Sequence, residues 1–272
     1  MNMNFDTLRF EVENGVGTIT LDNERKRNAF DMAMREGLAK VVAHIKTDRS
    51  IRAVILTGAH NHFCSGGDLS NIAASSDLGT DGWRNRLQDV HHWIRDLLTL
   101  DRPIIAACDG ASYGAGFSMA LLADIILATP RAKFCMSFMK VGLVPDCGAF
   151  YTLPRVVGVQ RAKELLMSAR ELDVNEAKDL GIVLEIHEPD QLMARARAMA
   201  ESFTQANPAA IGMVKRTMNS VGGLDLDNLL DMEASAQALA MFTPEHKVAI
   251  QAFLDKKAPP YSWKPNPQAV KA

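Results

Sequence analysis

An α/β fold is what the sequence predicts, on three observations. Short apolar runs of strand type recur between stretches of helical periodicity. Two of those runs lead into glycine-rich turns, His62-Phe63-Cys64-Ser65-Gly66-Gly67-Asp68-Leu69 and Asp109-Gly110-Ala111-Ser112-Tyr113-Gly114-Ala115-Gly116. After Pro189 the alternation stops and four helical stretches follow one another. The 272 residues suit one large domain, or one domain with an appended piece, and a hydrophobic content of 47% is enough for a buried core.

The elements are justified in chain order. Leu8-Arg9-Phe10-Glu11-Val12 alternates in polarity, Asn14-Gly15 turns, and residues 16–21 alternate again, which is a β-hairpin pattern. Asp31 caps a helix that runs to about residue 45. Residues 53–57 are apolar throughout and read as a strand buried on both faces. The polar stretch 71–82 is expected as a mobile loop, and a helix over 84–100 stops before Pro103. Strands over 104–108, 124–128, 133–136 and 182–186 have helices between them, which argues for a parallel or mixed sheet. Helices are expected over 190–204, 208–221, 226–241 and 244–254, with Asp190, Asn207, Asp225 and Thr243 at or just before their starts. The methionines of this tail (Met193, Met199, Met213, Met218, Met232, Met241) mark core or subunit contact, not a ligand set. Three parts are expected: a core over 1–205 that carries the site, a helical region over 206–258, and a loose tail over 259–272 rich in proline.

Charge is nearly balanced, 30 Lys and Arg against 32 Asp and Glu, which argues against nucleic acid or a polybasic membrane surface as partner. No apolar run approaches the length of a membrane span, and the start lacks the basic and apolar segments of a secretory signal. Cys64, Cys108, Cys135 and Cys147 lie far apart with no CxxC pair. They read as reduced thiols in a cytoplasmic protein, and no metal is expected.

Chemistry enters at the glycine turns. A strand that ends in small residues at a helix start presents bare backbone N–H groups. Two such turns brought together can grip one developing negative oxygen, as an oxyanion hole does. A third segment, Val141-Gly142-Leu143-Val144-Pro145-Asp146-Cys147-Gly148-Ala149-Phe150, places Asp146 after a proline and before a helical run. Two readings stand open for Asp146. It is a helix N-cap, or a carboxylate in apolar surroundings whose raised pKa makes it a better base.

Together with Arg25-Lys26-Arg27-Asn28-Ala29-Phe30, these segments resemble, in order and spacing, the crotonase (enoyl-CoA hydratase/isomerase) superfamily over residues 5–263. The resemblance implies a spiral of ββα units and a helical C-terminal oligomerisation region that assembles trimers or hexamers. It implies a coenzyme A thioester as substrate, with no cofactor. The Gly67 and Ala115 amides would be the oxyanion donors. Lys26 would meet the phosphates, and Ala29, Ser65, Asp68 and Leu69 would line the adenine and pantetheine path. Phe138 would shape the acyl pocket, and Phe253 and Lys256 would reach a neighbouring subunit's coenzyme A.

Typical hydratases of that family carry two glutamates, at positions that here hold Ser118 and Phe138. Activating water at C3 and delivering a proton to C2 needs two acid/base groups, so hydration is disfavoured. The surroundings of Asp146, with Lys133-Phe134 before it and Leu153-Pro154-Arg155-Val156-Val157-Gly158 after it, are most similar to the enoyl-CoA isomerases of phenylacetate catabolism. An allylic shift needs one base. The expectation is an acyl-CoA isomerase with Asp146 as general base. The alternatives are an aroyl-CoA dehalogenase or thioesterase with Asp146 as nucleophile, in which His91 matches a family histidine, and a non-catalytic acyl-CoA binder.

Overall fold

The computed structural model describes residues 2–263. Its larger sheet starts as an antiparallel meander of β1 (Met3–Phe5), β2 (Leu8–Glu13) and β3 (Val16–Leu21). Asn14 and Gly15 turn the hairpin with φ of 51° and 77°, the paired positive φ of a primed turn. The sheet continues in parallel through β4 (Ala53–Gly58), β5 (Ile104–Cys108), β7 (Ile125–Ala128) and β10 (Glu185–Ile186). A smaller sheet holds β6 (Ala111–Tyr113), β8 (Lys133–Cys135) and β9 (Glu171–Asp173), in that order.

From β5 to β8, consecutive strands therefore alternate between the two sheets, a pair before each helix. β5 and β6 precede α4 (Ala115–Ala120), and β7 and β8 precede α5 (Ala149–Ser168). Residue Cys64, after β4, bridges Ser112 of β6, so the β4 unit also touches the smaller sheet. After β9, Asp173 caps α6 (Val174–Asp179). This is the spiral of ββα units that the resemblance implied.

Each central strand of the large sheet is covered on both faces, which explains the unbroken apolar run over 53–57. Val54, Leu56, Ile104 and Ala106 face the main core. That core includes Met34, Leu38, Val41, Val42 and Ile45 of α1 (Met32–Thr47). Ala53, Ile55, Ile105 and Ala107 face α7 (Pro189–Thr204), which buries Leu192, Ala196, Met199 and Ala200 against them. α7 starts at Pro189, one residue before the expected start, with Asp190 in its first turn and Glu188 at the cap position.

The expected mobile loop over 71–82 is mostly helix. Asp68 caps α2 (Leu69–Ala73), a 3-10 turn spans Ser76–Leu78, and α3 (Gly79–Leu98) starts five residues before the expected helix. Val90, Trp93, Ile94 and Leu97 put the buried stripe on the second half of α3 alone, so no apolar period marked its first turns.

Three helices close the described chain: α8 (Pro208–Ser220), α9 (Leu226–Met241) and α10 (Pro244–Leu254), capped by Asn207, Asp225 and Thr243. α8 is tied into the core. The buried Lys215 ammonium donates to Asp124 Oδ2 and to the Arg102 carbonyl, both at 2.7 Å, and Asn219 donates to the Leu98 carbonyl. Of the expected loose tail, Tyr261 and Trp263 rest on the ring of Phe203, with centroids 6.4 and 5.3 Å away. The tail beyond 263 lies outside the described residues. Among the described residues no helix is long and apolar enough to cross a membrane.

Candidate active site

Small residues let the two glycine turns meet. Tyr113 N–H donates to the Cys64 carbonyl and Cys64 N–H to the Ala111 carbonyl, both at 2.9 Å. A Cβ on Gly116 would lie 2.4 Å from the Cys64 carbonyl oxygen, closer than any side chain can come. Gly66 has φ +102°, and a Cβ there would meet the Tyr113 carbonyl at 2.9 Å. Both glycines are the condition for the contact.

The contact leaves two amides free beside it. Gly67 is bridged to Phe30, but the hydrogen bonds of that bridge run from Phe30 N–H to Gly66 and from Asp68 N–H to Phe30. Ala115 is the first residue of α4, where an N–H has no intrahelical acceptor. Among the described residues neither the Gly67 nor the Ala115 amide donates to any acceptor. The ring of Phe138, itself buried, lies against Gly114.

Asp146 sits between a 3-10 turn (Ser137–Val141) and α5. It does not cap α5; Gly148 holds that position. Cys147 and Gly148 follow it with φ of 52° and 83°, a tight reversal that turns the carboxylate inward. Its Oδ1 is buried with no hydrogen-bond partner. Burial pushes the Asp146 carboxyl above the usual carboxylate range, against smaller opposing pulls from the Cys147 thiol, the Arg35 guanidinium and His91. His91 is on α3 and exposed.

Ser118 is buried and its hydroxyl is spent inside α4, donating to the Gly114 carbonyl at 3.2 Å. Cys64 and Cys147 are also buried. Burial pushes the Cys64 thiol up to about 12, and the Cys147 thiol well above its ordinary value, so both are inert at neutral pH.

A second group of expected residues gathers at the outer edge of the first turn. Lys26 donates to Asp68 Oδ2 at 2.5 Å and Ser65 to the Lys26 carbonyl at 2.9 Å. Ala29 N–H donates to that same carbonyl. Ala29 is buried, whereas Leu69 is exposed.

Two cations that sequence reading passed over rest on aromatic rings. Arg35 projects from α1 onto the Phe30 ring, 4.8 Å from its centroid, and Arg86 projects from α3 over Trp83 at 5.0 Å. Neither lies in a motif, and each reads as a surface cation of an amphipathic helix.

Residues 11–264 match the family model described as enoyl-CoA hydratase/isomerase. Over 260 residues the chain is 34% identical to 1,2-epoxyphenylacetyl-CoA isomerase of Escherichia coli (strain K12), across 93% of this chain and 97% of that protein. It is 29% identical over 256 residues to short-chain-enoyl-CoA hydratase of Clostridium acetobutylicum, across 94% and 97%. The crystal structure of an enoyl-CoA hydratase/isomerase from Cupriavidus metallidurans CH34 superposes with a TM-score of 0.92 at 44% identity, across 97% of this chain and 99% of that one.

Proposed function

The chain belongs to the enoyl-CoA hydratase/isomerase family, and from that premise we propose that it isomerises an acyl-CoA thioester with Asp146 as its single general base. One observation carries this reading. The Asp146 carboxylate has a buried, unpartnered oxygen, while Ser118 is engaged in its own helix and Phe138 is apolar. A single such group serves proton transfer between two carbons. It does not serve the paired activation that adding water requires.

In this mechanism the thioester oxygen lies between the Gly67 and Ala115 amides. Asp146 takes a proton from one end of the enoyl system, and the negative charge of the dienolate gathers on the oxygen that the two amides hold. The same carboxyl then returns the proton at the other end. The proton count closes without water, metal or cofactor. Lys26, whose side chain is 44% exposed, keeps Asp68 on one side and offers its remaining donors to a coenzyme A phosphate. The exposed Phe242, Phe253 and Leu254 of the helical tail support self-association, as trimer or hexamer, which light scattering tests.

Incubation with 2-enoyl, 3-enoyl and aryl thioesters in D₂O, read by mass spectrometry, tests the chemistry. The wild type should exchange carbon-bound protons and Asp146→Asn should lose that exchange. A gain of water, or full activity in the variant, sinks the reading. One rival is attack by Asp146 on the substrate, with His91 of α3 as its helper. That rival predicts an acyl-aspartate trapped in single turnover and a requirement for His91.

A further inference from the structure

At the ends of β4 and β5 opposite the glycine turns lies a cleft of about 450 Å³. It gathers four arginines, Arg49, Arg52, Arg102 and Arg216, and one acid, Asp101. Arg49 and Arg52 precede β4 and Arg102 precedes β5, whereas the glycine turns follow those strands. The six residues of β4, at about 3.3 Å each, set the two places about 20 Å apart. The cleft is therefore separate from the thioester site.

Packing explains how these residues meet. α8 crosses Asp101 at Gly212, where a Cβ would lie 2.8 Å from the Asp101 Cβ. Pro208 and Ala209 lie about one turn before Gly212 and Arg216 one turn after it, so all share one helix face, and the cleft runs along it. Arg102 is buried and fixes the floor: it donates to the Ile51 and Asp48 carbonyls at 2.6 and 3.0 Å and to Asp101 Oδ1 at 2.6 Å. Arg52 donates to the Ala206 carbonyl at 2.8 Å. Asp101 has no charge to spare, because its Oδ2 accepts from Arg49 at 2.5 Å. Asp48, on the same loop as Arg49, accepts from the Ser50 amide and hydroxyl instead. Arg216 is exposed and makes no ion pair among the described residues. The Arg49 side chain is 74% exposed, so its remaining N–H groups reach solvent. Four guanidiniums against one carboxylate leave the lining at +3. A cleft lined by one sign of charge concentrates counter-ions.

We propose that this cleft binds the diphosphate group of a small ligand, which bridges Arg216 of α8 to Arg49 and Arg52 of the loop before β4. Guanidinium groups meet phosphate oxygens in a planar fork. One phosphate monoester carries about −1.5 to −2 and leaves part of the +3 unbalanced, whereas two linked phosphates balance it. Ile51, Pro208 and Ala209 give the cleft an apolar wall for the rest of such a ligand, and its volume is in the range of small-molecule sites. Bound there, the anion closes from outside the seam between core and α8 that Lys215 holds from inside through the Arg102 carbonyl. The inference stands independently of the isomerase reading.

The test uses the full chain, with calorimetry of pyrophosphate and of uridine diphosphate against sulfate at matched ionic strength. Pyrophosphate should bind wild type about tenfold tighter than sulfate or better, and should raise Tm where sulfate does not. Arg49→Met and Arg216→Met should each weaken pyrophosphate about tenfold. Both positions are exposed, so the fold should survive, which circular dichroism checks. Lys26→Met, at the expected coenzyme A contact, should leave that binding in place. No preference for pyrophosphate over sulfate overturns the site, because screening alone then accounts for the effect. Affinity unchanged in both arginine variants also overturns it, and loss in Lys26→Met then places the diphosphate at the thioester site. Uridine diphosphate binding tighter than pyrophosphate assigns the apolar wall to the body of the ligand. Equal affinity makes the diphosphate itself the ligand, and both results keep the site.

Discussion

The Lys26 ammonium donates to the Asp68 carboxylate at 2.5 Å across 42 residues of sequence. The pair joins the cation expected to meet a phosphate to the turn that presents the Gly67 amide. Asp68 also accepts from the Ser70 hydroxyl and from the Ser70 and Asn71 amides, so one carboxylate caps α2 and orders the turn before it.

Asp68 makes stability acid-sensitive in a defined window. Burial alone would raise its pKa, but the hydrogen bonds from Lys26, Ser70 and Asn71 outweigh burial and pull it to about 2. A depressed carboxyl stabilises the fold above its unfolded pKa, and that contribution fades as pH falls through the folded value. Asp68→Asn keeps a capping side chain but loses the charge. It should lower stability at pH 7 by about 1 kcal/mol after screening at the exposed Lys26 end. The difference from wild type should vanish as pH falls from about 4 toward about 2. Thermal melts across that range check this.

Asp146 should show the opposite sign. Its carboxyl is raised, so the ionised form weakens the fold at neutral pH. Asp146→Asn should raise Tm at pH 7, and the gain should disappear below the ordinary carboxylate pKa of about 4. The same variant should lose roughly 10²–10⁴-fold in exchange rate. In the wild type, kcat/KM should rise with pH through an inflection above the usual carboxylate range, because the base must be deprotonated. A variant that gains neither stability nor a catalytic defect contradicts the assignment.

Ala115→Pro is a clean deletion of one oxyanion donor. Proline suits the first position of a helix, and Gly114 before it tolerates the restriction that proline imposes. The fold should survive by circular dichroism while kcat falls about 10²–10³-fold. By contrast, Gly67→Ala keeps its N–H, and the added Cβ meets only Ile72 Cδ1 at 3.4 Å. Steady-state kinetics of the two variants should differ by most of that factor.

Lys215 and Asp124 should decide whether the helical tail stays docked. Burial raises the Asp124 carboxyl, and Lys215 opposes that shift. Lys215→Met leaves Asp124 with the Ile104 N–H as its described partner, and should cost about 3 kcal/mol. Adding Asp124→Asn should recover part of the loss. Denaturant titration of the single and double variants measures both.

Much of this was legible one segment at a time. The hairpin at Asn14-Gly15, the caps Asp31, Asn207, Asp225 and Thr243, and the two glycine turns all follow from local chemistry: positive φ, side-chain acceptors and missing Cβ atoms. Where local signals failed, the reason was also local. The first turn of α3 has no buried residue, so residues 79–82 read as loop.

By itself the sequence determined the α/β class, the helical end of the chain, and a lone acid that follows two glycine turns and an apolar position. Tertiary structure decided that Asp146 does not cap α5, because Gly148 holds that position, and it buried the carboxyl so that its pKa rises. It alone brought Arg35 of α1 near that carboxylate. Charge and desolvation act through space, and residues 35 and 146 become neighbours only when the chain has folded.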